Sequence, residues 1–135
     1  MFILDTMVVS ERTKTRPDPA VCAWLAAIEP QQQFISVITI GEIRFGIDRM
    51  REGSHKRRLE IWFDELVPFF TGRILPIDVT VGKRWGRLKY DAGRSVSAAD
   101  GLIGATALVH NLAVATRNEY DFADFGLRVV NPWLA

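Results

Sequence analysis

The sequence predicts an α/β domain of three layers: a central, mostly parallel sheet of four to five strands with helices on both faces. Three observations carry this expectation. Short apolar runs alternate with longer stretches of helical periodicity. The apolar runs are continuous, not polar–apolar alternating, as strands buried on both faces are. Capping and stop residues stand at most of the junctions. A length of 135 residues suits one domain, spanning 1–135.

Phe2-Ile3-Leu4 reads as a buried strand that ends at Asp5. Asp18-Pro19 supplies an N-cap and an N1 proline for a helix carrying Val21, Trp24, Leu25 and Ile28, which Pro30 closes. Gln33 to Ile38 is the second strand. Thr39 caps the next helix, with Ile43, Ile47 and Met50 on one side and Gly53 as its stop. Ser54 opens a helix with Leu59, Trp62, Phe63, Leu66 and Phe70 along one face; Ile61, Val67 and Phe69 widen it, so this helix is expected to bury two sides or meet a partner. Arg73 to Ile77 is a third strand, interrupted by Pro76. Asp78 caps a helix running to about Ala92, with Gly93 after it, and Ser97 caps an alanine-dense helix from Ala98 to about His110. Leu112 to Thr116 and Arg128 to Val130 are the last two strands.

Composition excludes several classes. With 48% hydrophobic and 24% charged residues the chain is not disordered, and a net charge of +1 gives no bulk attraction to nucleic acid. Cys22 is alone, so no internal disulfide forms and a reducing cytoplasm is expected. No apolar run reaches the roughly 18 residues of a membrane span. Met1-Phe2-Ile3-Leu4-Asp5 lacks the basic region of a signal peptide.

The acids fall at particular places. Asp5 ends the first strand, Glu42 follows the second, Asn118 and Asp121 follow the fourth, and Asp100 opens the alanine-dense helix. In open parallel sheets, ligands bind beyond the carboxyl ends of the strands. Thr39-x-x-Glu42 also reads as a capping box, and Ser97-x-x-Asp100 as a near version of one. Asp5 has no such local task. If these carboxylates converge, two of them about 4 Å apart repel by roughly 4 kcal/mol at an effective dielectric near 20. A cation or a shared proton must then hold them together. An oxygen-only set selects Mg2+ or Mn2+. His55, His110 and Cys22 show no zinc-ligand spacing.

Four ordered segments resemble the PIN-domain ribonuclease toxins of toxin–antitoxin systems, the VapC family and its FitB-like branch. They are Phe2-Ile-Leu-Asp-Thr-Met-Val-Val-Ser-Glu11, Ile35-Ser-Val-Ile-Thr-Ile-Gly-Glu-Ile-Arg-Phe-Gly-Ile47, Ala98-Ala-Asp-Gly-Leu-Ile-Gly-Ala-Thr-Ala107 and Ala115-Thr-Arg-Asn-Glu-Tyr-Asp-Phe122. Asn131-Pro-Trp133 adds to the likeness. The resemblance implies a PIN-like sandwich and Mg2+-dependent hydrolysis of RNA phosphodiesters, leaving 5′-phosphate and 3′-hydroxyl ends. Asp5, Asp100 and Asp121 are then the metal-binding acids, and Glu42 binds metal or positions the attacking water. Thr116 adds a hydroxyl, and Asn118 is a neutral partner or water-mediated ligand. Thr6, Thr39 and Arg117 complete the set that supports the ligands or touches substrate, Arg117 as the phosphate contact. The implied partners are RNA, a small VapB-like antitoxin and a second copy of the chain, with no membrane. The wide apolar face from Leu59 to Phe70 is the expected protein interface.

The first motif departs from the family, which reads Leu-Asp-Thr-Asn where this chain has Met7. Methionine donates no hydrogen bond and accepts only weakly. This keeps a second reading open: a weakened or inactive PIN-fold module that binds RNA or protein. A receiver domain is disfavoured, because no lysine follows the fourth strand. Thirteen of the 17 basic residues are arginine, suited to bidentate phosphate contact. Arg44, Arg49, Arg51, Lys56, Arg57 and Arg58 form one candidate RNA-facing group, and Lys83, Arg84, Arg87 and Lys89 another. The four tryptophans are expected in core or interface.

Overall fold

A computed structural model describes residues 1–135. The expected three-layer α/β architecture is present, and its sheet is wholly parallel. The strands are β1 (Phe2–Leu4), β2 (Gln33–Ser36), β3 (Ile74–Leu75), β4 (Ala113–Ala115) and β5 (Val129–Val130), in spatial order β3-β2-β1-β4-β5. β1 is therefore central, with Ile3 paired to Phe34 on one side and to Val114 on the other. Seven α-helices accompany them: α1 (Thr6–Ser10), α2 (Pro19–Ala26), α3 (Val37–Asp48), α4 (Ser54–Phe69), α5 (Val79–Ala92), α6 (Ala98–His110) and α7 (Glu119–Phe122).

Side chains leave alternate faces of each strand, and the core divides accordingly. Leu4, Ile35 and Ala115 pack with Val8, Val21, Ile43 and Phe63 on the α1–α4 side. Ile3 and Val114 pack with Leu88, Ile103 and Phe122 on the α5–α7 side. Three of the tryptophans, Trp24, Trp62 and Trp133, pack partly buried against the first of these clusters, as expected.

Several element ends differ from expectation, each for a local reason. β2 stops at Ser36, whose Oγ accepts from Ile38 N at 3.0 Å, so Ser36 and not Thr39 caps α3. Val37 and Ile38, apolar enough to read as strand, form the first turn of that helix. α3 ends at Asp48, before Met50, and Gly53 instead precedes α4 as its N-cap, at a φ of 156° that favours glycine. Pro76 limits β3 to two residues. The short helices α1 and α7 carry too few residues to show a periodicity.

α4 exposes part of its apolar width, with Ile61 61% and Phe69 50% accessible. Trp62, Leu66, Phe69 and Phe70 wall an apolar cleft of about 490 Å3, closed on its other side by Leu4, Val9, Leu25 and Ile28.

On α6, glycine makes room for Phe125, which follows α7. A Cβ on Gly104 would lie 2.7 Å from Phe125 Cδ2. Phe125 is buried, so its ring cannot swing into solvent. Alanine gains about 1 kcal/mol of helix propensity over glycine, but overpacking a filled core costs about 1–3 kcal/mol. Gly104→Val, which adds more bulk and little propensity, is expected to lose roughly 2–3 kcal/mol in urea denaturation.

Candidate active site

Asp5 is where the carboxyl edge of the sheet begins to matter. Its backbone N–H still belongs to the ladder, donating to Ala115 O at 2.9 Å, while its side chain turns to cap α1. Oδ1 accepts from Thr6 N at 2.9 Å and Oδ2 from Thr116 Oγ1 at 2.7 Å. The expectation that Asp5 lacks a capping task is thus overturned: it caps a helix too short to be read from sequence. Thr116, fully buried at the end of β4, also accepts from Asn118 N at 3.0 Å and so sets the turn that leads into α7.

Glu42 is reached from the opposite side of β1. Because Ser36 caps α3, Thr39 lies buried inside the helix and Glu42 sits in its second turn. The capping box expected between them does not form. Glu42 Oε1 instead accepts from Thr6 Oγ1 at 2.6 Å, tying α3 to the residue after Asp5. Thr39 Oγ1 lies 3.4 Å from the same hydroxyl. Asp100 occupies the first turn of α6, where Ser97 Oγ accepts from its N–H at 3.2 Å, as the sequence indicated. Asp121 lies half-buried in α7.

The four carboxylates share one electrostatic neighbourhood. Burial pushes the Asp5 carboxyl above its ordinary pKa, and the charges of Glu42 and Asp121 push the same way; the hydrogen bonds from Thr116 and Thr6 offset only part of this. Burial also raises Asp100, with Asp5 and Asp121 adding to it and Ser97 and Arg94 opposing. None of the four forms an ion pair. As the side chains stand, no three Asp, Glu, His or Cys groups converge tightly enough to hold a metal ion. The donor chemistry fits a hard divalent cation on two counts: the acids are oxygen donors, and the buried charge at Asp5 has no cation of its own.

Other expected residues fall around this cluster. Asn118 Nδ2 lies 3.9 Å from Met7 Sδ, so the thioether serves as the weak acceptor its chemistry allows. Arg117 is exposed beside Asn118, its guanidinium 5.2 Å from the Trp133 ring centre. Three of the ten residues in the two basic groups are held by carboxylates. Arg44 pairs with Asp48 along α3 and Arg87 with Asp91 along α5, while Lys56 pairs with Glu52 in the connection before α4. Sequence reasoning missed Arg94, whose Nη2 donates to Asp121 O at 3.0 Å while Nε and Nη2 also hold Asp124. No local pattern marks it, because its partners Asp121 and Asp124 stand 27 and 30 positions further along the chain.

Comparison with known proteins identifies the fold's family. The PIN domain family matches residues 2–126. The VapC ribonuclease Y4jK of Sinorhizobium fredii is 39% identical, with 98% of each chain covered. Toxin FitB of Neisseria gonorrhoeae is 37% identical, covering 98% of this chain and 99% of its own. Among solved structures, FitAcB from Neisseria gonorrhoeae superposes with a TM-score of 0.95 at 37% identity over the full length of both chains. FitAB bound to an IR36 DNA fragment gives 0.93 at 36% identity, covering 98% of this chain and 96% of that one. The family match over residues 2–126 and relatives 37–39% identical over nearly the whole length lead to one assignment: the chain belongs to the PIN-domain family, with VapC ribonuclease Y4jK and Toxin FitB among its relatives.

Proposed function

We propose that this protein is a Mg2+-dependent endoribonuclease toxin that hydrolyses RNA phosphodiester bonds and is neutralised by a cognate VapB-like antitoxin. The observation that carries the reading is a buried, unpaired Asp5 set among three further acids at the carboxyl edge of a parallel sheet. Asp5, Asp100 and Asp121 would hold Mg2+, with Mn2+ as a substitute. When bound, the ion supplies a water of lowered pKa and neutralises charge developing on the phosphate. Glu42, its Oε1 fixed by Thr6, orients the attacking water or takes its proton. Thr116 holds Asp5 in one rotamer and Asn118 at the mouth of the turn. Arg117 meets a substrate phosphate as an exposed, permanently charged donor.

The apolar cleft between α2 and α4 is the surface we assign to the antitoxin, since its walls are aliphatic and aromatic with Arg12 and Glu65 among them. The solved FitAcB and DNA-bound FitAB structures supply the analogy for that partner. Such a segment blocks the reaction if it extends an arginine or an acid into the carboxylate cluster. A second copy of the chain is the other proposed partner. No helix is long and apolar enough to cross a membrane, and the reducing cytoplasm remains the proposed compartment.

The test is cleavage of total RNA by purified protein. Cleavage is expected in Mg2+ and is expected to fall to background in EDTA, returning when Mg2+ or Mn2+ is restored. Cleavage that persists in EDTA defeats the metal-dependent reading.

A further inference from the structure

Beside Glu42 a second cleft opens along α3, with a volume of about 580 Å3. It shares Thr6 and Glu42 with the acidic cluster, so the two spaces are continuous. Glu42, Phe45 and Arg49 are spaced three and four residues apart and follow one another along a single helix face. Phe45 is 66% exposed, so its ring is open to a ligand entering the cleft. Gly41 and Gly46 flank it, and at both a side chain would meet open space, so neither glycine is there to permit packing. The Arg49 guanidinium lies 5.4 Å from the Phe45 ring centre and has no carboxylate partner.

We propose that this cleft receives one unpaired nucleobase of the RNA, stacked on Phe45, with Arg49 on the adjoining phosphate. The inference rests on the ribonuclease reading and names how that site holds its substrate. An aromatic ring beside a free guanidinium is the pairing that binds single strands without regard to sequence: the ring stacks on any base, and the cation meets the backbone. A base held in a duplex cannot reach the ring, so the cleft selects loops and single strands. Continuity with the acidic cluster and the unpaired Arg49 guanidinium argue for nucleic acid over a hydrophobic partner. The rim carries Glu42 and Arg49, and Phe45 and Val37 are the large exposed apolar residues within it. A stable protein interface needs about 800 Å2 on each side, with an apolar core.

The experiment uses a short single-stranded RNA containing 2-aminopurine, with Ca2+ replacing Mg2+ to slow cleavage. Wild-type protein is expected to quench the fluorescence on binding. Phe45→Ala is expected to bind about tenfold more weakly and to lose the quench, while Phe45→Trp restores both. Tyr90→Ala, which removes an exposed ring paired with Arg87 on α5, is expected to behave as wild type. Duplex RNA of the same sequence is expected to give no quench. Unchanged affinity and quench in Phe45→Ala overturn the inference and leave the ribonuclease reading standing. Absence of RNA binding overturns it as well, and so does a Phe45→Ala protein that binds RNA normally but loses a dimer in sedimentation. Quenching by wild type that Phe45→Ala loses, with no Mg2+-dependent cleavage of total RNA, keeps the base-binding cleft and defeats the ribonuclease reading.

Discussion

Asp5→Asn is expected to reduce RNA cleavage by more than about a hundredfold, beyond the loss typical of groups that only support a ligand, while stabilising the metal-free fold at neutral pH. Both effects come from one carboxylate. Its hydrogen bonds survive the change: the asparagine oxygen accepts from Thr6 N, and its amide donates to Thr116 Oγ1, which can accept. What is lost is the charge. Burial raises the Asp5 pKa in the folded state, with Glu42 and Asp121 adding to it. Between the ordinary carboxylate value and the raised one, the folded protein binds more protons than the unfolded chain, so Asp5 lowers stability as pH rises through that window. At pH 7 the penalty is fully present, and asparagine removes it. Thermal melts without metal should therefore place Asp5→Asn above wild type at pH 7 and bring the two together toward pH 4. Mg2+ should raise the wild-type midpoint at pH 7 and leave that of the variant unmoved.

Thr116→Val is expected to cost roughly 10–100-fold in cleavage, the range seen when an outer partner of a metal ligand is removed. The hydroxyl does two things at once: it donates to Asp5 Oδ2 and accepts from Asn118 N. Valine is nearly isosteric, so the loss falls on those two bonds and not on packing. The Asp5 carboxylate loses its strongest stabilising hydrogen bond, and its pKa should rise further. The pH–rate profile of Thr116→Val should accordingly shift its acidic limb to higher pH. Thr116→Ser, which keeps the hydroxyl, should restore most of the rate. An unshifted profile with a lower plateau would assign Thr116 to the structure alone.

Much of this was readable in the chain, and the failures have physical causes. The five strands were legible as short apolar runs, largely buried in the middle of the sheet and half-buried at its edges, and the Asp18, Asp78 and Ser97 caps were legible because each precedes a helix long enough to show its period. α1 was invisible because five residues are too few, and with it went the capping role of Asp5. The Thr39–Glu42 box was a local pattern overruled by tertiary structure: Ser36 starts the helix three residues early, and Thr6, 36 positions away, takes the Glu42 carboxylate instead. Arg94 was missed because its role depends on two turns meeting at one end of the sheet, which no local window contains. Within the basic groups, carboxylates four residues away hold Arg44, Lys56 and Arg87, a pairing that a count of charges does not show.

A calorimetric titration of Mn2+ into the purified protein at pH 7 bears most directly on the acidic edge as a cation site. Wild type should bind with a defined stoichiometry, and Asp5→Asn and Asp100→Asn should each abolish or greatly weaken the heat while melting as folded proteins. Wild-type protein that takes up no ion, or variants that bind as well as wild type, would contradict it.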